Sequence, residues 1–524
     1  MPVNRRDLLS MALLGGAAVA LPLEASLRPV ALRHRLAASA LPAPFSAPLG
    51  VPPVLAPVRQ DADTDYYRVT MRESTTEVVP GLRSPVWGYE GIAPGPTIRA
   101  VQGRKVVARF VNELPATHPQ WGYAPWTSVH LHGSASLPQH DGYASDITNP
   151  GQYKDYRYPN WQPARTLWYH DHGAHHTAEN VYMGLAGLYL LTDPLEQSLP
   201  LPKGEFDVPL VVTDHMFTTD GVPLLNIVEG KGAWGDVVAV NGRAWPVLRV
   251  KRRKYRFRIL NASISRSYRW SFSDGTPMTV VATDAGLVPS PTVVRDFRHS
   301  SAERYEVVVD FSRHRPGQRV VLRNISPPKN VDYARTGTVM AFDVVDDPFP
   351  TTDNAVPDVL FPEQPAMNVP EGAALRTRRF RLHRQNGLWK INGTTWDDVV
   401  RSGFRKVLAD PRLDDVEVWE LVNESGGWFH PVHIHFVDFR VLSRNGLPPA
   451  PHECGGKDVV YLGPAETVRV LVKFERGRGR YMMHCHNLVH EDHDMMAQFE
   501  IVDPAVPAPD PLSEPSSWLP AGEL

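Results

Sequence analysis

Cysteine is nearly absent from this chain, with Cys454 and Cys485 the only two in 524 residues. So few exclude a disulfide-stapled scaffold and leave the fold to be held by a hydrophobic core. A bridge between them would use up Cys485, the thiol set among histidines, so both are expected to be free. Long apolar runs are lacking as well. The one at residues 11–23 is too short to span a bilayer, and no membrane span is expected. Neither sign of charge dominates: the formal net charge is −2, which argues against nucleic acid as a partner. Methionine is scarce, and its 12 residues form no cluster beyond the pairs at 482–483 and 495–496.

What the chain has in excess is proline. Its 50 residues are about twice ordinary usage, which disfavours long helices and favours short strands joined by loops. Paired arginines at 5 and 6 precede the apolar run, a pattern that resembles a twin-arginine export signal. A signal peptide over residues 1–40 is therefore expected, with cleavage after Ala25 or Ala40 and a periplasmic or extracellular location. Residues 41–62, rich in Pro and Ala, read as a linker.

Three β-units follow, at residues 63–195, 205–346 and 373–505. A Pro- and Asp-rich linker at 347–372 separates the last two, and a Pro-rich tail occupies 506–524. Strand-like runs lie at 97–100, 105–112, 128–133, 166–172 and 183–192 in the first unit. The second has them at 208–213, 236–240, 255–260 and 305–311, and the third at 416–423 and 467–474. The expected fold is all-β, three sandwich or barrel domains, with no close sequence repeat between them.

Residues 481–496 read YMMHCHNLVHEDHDMM. In an extended strand successive side chains alternate faces, so Cys485 points one way while His484 and His486 point the other. A thiolate, two imidazoles and a thioether are the ligands of an electron-transferring blue copper site. Cys485, His490 and Met495 supply three, and His430, in WFHPVHIH, supplies the fourth. His484 and His486 are one of four His-x-His pairs, the others being His130 with His132, His170 with His172, and His433 with His435. With 21 histidines, chance gives roughly one such pair. Eight imidazoles on four strands, each with an N–H and a lone pair, are too costly to bury without metal. Zinc competes as the metal, but its closed four-ligand or open three-ligand sites give no reason to flank a thiolate with ligands of a second centre.

The segments HLHG, HDH, HPVHIH and HCHNLVHEDHDMM resemble the copper signatures of the multicopper oxidases, in order and spacing, from about residue 63 to 503. The resemblance implies three Greek-key cupredoxin-like domains and four coppers per chain. By motif, His430, Cys485, His490 and Met495 would hold the type 1 copper, and His130 and His433 the type 2 copper. His132, His170, His172, His435, His484 and His486 would hold the type 3 pair. It further implies an oxidase that takes single electrons from phenolic, aminophenolic or tetrapyrrole (bilirubin-like) donors and reduces O2 to water. Asp141, in HDGY, and Glu491 match family positions for proton supply or support of the cluster. The nearest branches are the bilirubin oxidases and the bacterial spore-coat laccases. Trp428, two residues before His430 in the type 1 environment, favours the former.

The alternative is a cuprous or manganese metal oxidase, which often carries a Met-rich insertion not evident here. A non-enzymatic copper carrier would need the type 1 ligands but not four His pairs. Copper nitrite reductase lacks the paired centre. A small organic reductant and O2 are the expected partners, with the chain working as a monomer.

Overall fold

The structure, a computed structural model, describes residues 34–228, 230–346 and 353–524. Alternating β-branched runs become strands where the pattern put them, as at Lys105–Asn112 and Val416–Asn423. Among the described residues the strands form six sheets, two from each successive part of the chain. One apolar cluster joins the two sheets of each pair. Val69, Phe110, Leu131 and Tyr169 lie in the first, Phe257, Trp270 and Phe342 in the second, and Trp419, Val432 and Phe499 in the third. The fold is all-β and cupredoxin-like.

In each sandwich the first long strand runs parallel to a later one. Thr64–Val79 pairs with Lys105–Asn112, Asp207–His215 with Lys254–Asn261, and Arg376–Gln385 with Val416–Asn423. Parallel neighbours cannot be joined by a hairpin, so the chain crosses to the other sheet in between. The same crossover made three times is a repeat of structure that residue identities do not display.

Two sheets carry the paired histidines. In the first sandwich, Gly95–Val101, Ala186–Thr192, Arg165–Asp171 and Val129–His132 make a four-stranded sheet. In the third, the order is Val459–Leu462, His430–Ile434, Gly479–Cys485 and Met496–Ile501. The strands Val129–His132, Arg165–Asp171 and His430–Ile434 are buried at every residue, so both faces are covered. One face of each sheet meets its own core and the other holds histidines.

Several expectations need correction. The run at 183–192 is not one strand: Met183 ends the helix Thr177–Met183, and the strand starts at Ala186. Gly184, at φ 122°, makes the turn between them, and a Cβ there would meet the Ala93 Cβ at 2.5 Å. Residues 41–62 are no free linker. Phe45 N–H donates to Trp245 O and Leu49 N–H to Val247 O, both at 2.8 Å, and Leu55 N–H donates to Thr97 O at 2.9 Å.

The signal segment expected at 1–40 lies outside the described residues as far as residue 33, but Arg35 pairs with Asp236 at 2.7 Å. The linker at 347–372 is described from residue 353, and its Leu360 and Gln364 are buried. The tail is a strap: Ser517–Trp518 pairs with Gln152–Tyr158 of the first sandwich, and Lys154 Nζ donates to Glu514 O at 2.6 Å. Both cysteines are free thiols. Among the described residues no helix is long and apolar enough to cross a membrane.

Candidate metal centres

Strand register brings the histidines together. His130 lies opposite His170 in the first sandwich, and His433 lies opposite His484 in the third. The other members of the last three pairs, His172, His435 and His486, stand just past the ends of their strands. The two histidine faces meet: the His132 and His433 rings stack at 3.8 Å, and the His130 and His435 rings lie 4.1 Å apart. All eight histidines are fully buried.

Backbone and carboxylate acceptors fix which nitrogen of most rings carries the proton. Nδ1 of His130, His170 and His433 donates to the carbonyl oxygens of Asp141, Asp171 and Asp458, at 2.5, 2.7 and 2.8 Å. His132 Nε2 donates to Asp458 Oδ1 at 3.2 Å, and His435 Nδ1 to Asp141 Oδ2 at 2.8 Å. Each ring so held keeps a bare lone pair on its other nitrogen. The lone-pair nitrogen of His435 lies 3.1 Å from His484 Nε2, which in turn lies 3.2 Å from His172 Nε2. Three ring nitrogens thus converge, and a cation placed among them would be ligated by all three.

Seven nitrogens of these eight rings have no hydrogen-bond partner among the described residues: His130 Nε2, His132 Nδ1, His170 Nε2, His172 Nδ1, His433 Nε2, and both of His486. At about 1–3 kcal/mol for each unsatisfied buried polar atom, they would cost on the order of 7–20 kcal/mol. That rivals the whole stability of a typical domain. Protonation does not relieve them, because burial holds His132, His170, His433, His435 and His486 well below the usual imidazole range and His172 down to about 3. Neutral rings with aimed lone pairs are what a metal requires. The donor set fits.

The second centre lies on the other face of the same strand. His430 is an odd number of residues before His433, so it falls on the core side, as does Cys485 between its two histidines. Cys485 Sγ is 3.4 Å from His430 Nδ1 and 3.5 Å from His490 Nδ1, and the two nitrogens are 3.2 Å apart. Ser425 Oγ holds His430 Nε2 at 2.8 Å, and Lys231 O accepts from His490 Nε2 at 2.7 Å. Both Nδ1 atoms are thereby left to the triad. Met495 is fully buried in the same apolar cluster, its carbonyl accepting the Cys485 N–H at 3.1 Å. Burial pushes the Cys485 thiol well up, so a thiolate here needs a bound cation.

The two acids named from sequence are both at the cluster. Asp141 reaches across from the first sandwich to His435. Glu491, on the short helix Leu488–Asp492, has its Oε2 2.8 Å from His484 Nδ1 and its Oε1 3.7 Å from His172 Nδ1. Burial is the largest influence on both. It prevails at Asp141, whose carboxyl is raised, whereas the His484 and His172 rings outweigh it at Glu491, which is held low.

Trp428 is half-buried at the rim of the thiolate centre, with Lys231 Nζ 5.3 Å from its ring. The ring lying on the triad is Trp389, 4.0 Å from His490, which sequence reading missed. Trp168, stacked on His170 at 4.0 Å, and Asp458 were missed too. Trp168 precedes the HDH motif by two residues, so its alternation with His170 was a usable signal. Asp458 sits in GGKDVVYL and offered none.

Family models described as multicopper oxidase match residues 70–196, 207–340 and 377–505. The chain is 44% identical to bilirubin oxidase of Albifimbria verrucaria over 483 residues, covering 87% of this chain and 81% of that one. It is 32% identical to a laccase of Bacillus subtilis (strain 168), covering 88% and 99%. Among solved structures, a multi-copper oxidase from Pediococcus acidilactici superposes with a TM-score of 0.77 at 31% identity, covering 88% of this chain and 93% of that one. The family's metal is copper, and the thiolate triad and histidine cluster are compatible with it. The chain belongs to the multicopper oxidase family and is an oxidoreductase of that kind.

Proposed function

We propose that the chain couples one-electron oxidation of an organic donor at a type 1 copper to four-electron reduction of O2 to water at a three-copper cluster. His430, Cys485, His490 and Met495 would hold the first. His130 and His433 would hold the type 2 ion, and His132, His170, His172, His435, His484 and His486 the type 3 pair. Copper bound in these places supplies one-electron redox steps and a binding site for O2. One observation carries the reading: Cys485 belongs to the thiolate triad while its chain neighbours His484 and His486 belong to the histidine cluster. The covalent path between the two centres is therefore a single residue in either direction.

The chain's own groups have distinct tasks. Asp141 accepts the His435 N–H and Glu491 lies within 2.8 Å of His484 Nδ1, so both carboxyls are placed to pass protons toward the place O2 is reduced. Trp389 covers His490 and keeps water off the triad. The rim above it is built of aromatic and basic side chains: Lys231 lies over Trp428, the Arg384 guanidinium lies 5.1 Å from the Trp389 ring, and Lys329 Nζ sits beside Gly427. Such a rim suits a donor with an aromatic or conjugated body, as in a phenol or a tetrapyrrole.

The test is a rate comparison of the copper-loaded protein on bilirubin, 2,6-dimethoxyphenol, o-aminophenol and Cu(I). Fast turnover of Cu(I) alone would overturn the reading.

We further infer export by the twin-arginine route, with cleavage after Ala25. Cleavage after Ala40 would discard the Arg35–Asp236 pair and the bond from Leu36 N–H to Phe217 O at 2.8 Å. Sequencing the amino terminus of the exported protein decides between them.

A further inference from the structure

The second sandwich contributes none of the eight clustered histidines, yet one of its side chains is buried against them. Arg304 opens the strand Arg304–Asp310 and is fully buried. A guanidinium has five N–H donors, and all five are taken. Nε donates to Thr166 O at 3.0 Å, and Nη1 to Ala302 O at 3.2 Å and Asp458 Oδ1 at 2.6 Å. Nη2 donates to Asp284 O at 3.2 Å and Asp458 Oδ2 at 2.5 Å. These acceptors come from all three sandwiches, and Thr166 lies on the strand that carries His170.

Asp458 passes this hold on to the cluster. The oxygen that receives Arg304 Nη1 also receives His132 Nε2 at 3.2 Å, and the Asp458 carbonyl receives His433 Nδ1 at 2.8 Å. One residue therefore fixes the proton position on two stacked rings from opposite sides of the interface. The sequence makes room for the pair. At Gly133, the last residue of HLHG, an added Cβ would lie 2.6 Å from both Arg304 Nη2 and Asp458 Oδ2, and φ is +83°. Only glycine suits that position.

We propose that Arg304, acting through Asp458, is a positioning residue of the histidine cluster. It holds His132 of the first sandwich against His433 of the third and keeps Asp458 as the acceptor that leaves His132 Nδ1 and His433 Nε2 bare. A lysine carries the same charge, but as a single point it cannot grip both carboxylate oxygens while bonding three carbonyls. The inference rests on the copper reading of the two centres.

The experiment loads wild type, Arg304→Lys, Asp458→Asn and Glu303→Gln with copper. It measures copper per chain, the blue thiolate absorption and the electron paramagnetic resonance of copper outside the blue site. Glu303→Gln loosens the same buried ion network, where Glu303 Oε1 pairs with Lys457 Nζ at 2.8 Å, without touching the Asp458 carboxylate. Arg304→Lys and Asp458→Asn should keep the blue band, lose at least one copper from the cluster and shift the hyperfine splitting of what remains, while Glu303→Gln stays like wild type. If Arg304→Lys does not fold, Asp458→Asn decides alone. Full copper with an unshifted signal, or the same loss in Glu303→Gln, overturns the inference. Wild type without copper outside the blue site would instead remove the copper reading, and the inference with it.

Discussion

Asp141 and His435 stand on different sandwiches, and Asp141 Oδ2 lies 2.8 Å from His435 Nδ1. The same aspartate's carbonyl accepts His130 Nδ1 at 2.5 Å, so one residue orients a ring on each side of the interface. Its other carboxylate oxygen, Oδ1, has no hydrogen-bond partner among the described residues.

Asp141→Asn keeps the shape but replaces the carboxylate by an amide. Reoxidation of the reduced protein by O2 should slow by roughly ten- to a hundred-fold, the usual size of an effect from a group that orients a metal ligand. Reduction of the blue centre by donor should be nearly unchanged, since the triad is on the other face of the sheet. Stopped-flow bleaching and recovery of the blue band separates the two, and an unchanged recovery counts against the role.

The basic side chains of the rim should be read in KM rather than kcat. With Lys231→Gln and Arg384→Gln combined, KM for bilirubin should rise by about three- to tenfold, the scale of exposed charge pairs. For neutral 2,6-dimethoxyphenol it should stay flat. High salt should reproduce the effect in wild type, because exposed charges are screened. An equal change for both donors would mean that the rim is not selecting charge.

Glu453 tests what holds the third sandwich. Burial alone would raise this carboxyl, but Arg444 grips it, Nε on Oε2 at 2.8 Å, and holds it down at about 2 against an ordinary 4.5. A depressed carboxyl contributes stability that is fully present above its unfolded value and lost as pH falls through the folded one. The contribution is about 3 kcal/mol at neutral pH. Glu453→Gln should therefore melt below wild type at pH 7, with the gap closing between pH 4.5 and 2. A gap independent of pH would show that the loss is one of packing.

Much of the site was legible because strands have a period of two. Each His-x-His pair announced a face, and alternation put Cys485, between His484 and His486, on the opposite one. Fixed spacing does not describe what comes from elsewhere in space. Asp458 and Arg304 act through tertiary contact across three sandwiches, with no local pattern to mark them. Trp389 was hidden likewise, since an apolar residue in a strand looks the same whether it covers a core or a metal triad. The docking of residues 41–62 and 506–524 on the sandwiches has no local mark for a related reason. Proline-rich composition speaks of extended backbone, and extended backbone can be a strap as readily as a loose linker.

The central claim is that Cys485 joins two copper centres, and copper-loaded Cys485→Ser tests it most directly. Copper per chain and blue absorption are measured beside wild type. Wild type should hold four coppers with a blue band. The variant should lose the blue band and one copper, keep the other three on the histidines, and no longer consume O2 with an organic donor. A variant that stays blue, or that still couples donor oxidation to O2 at the wild-type rate, would contradict the account.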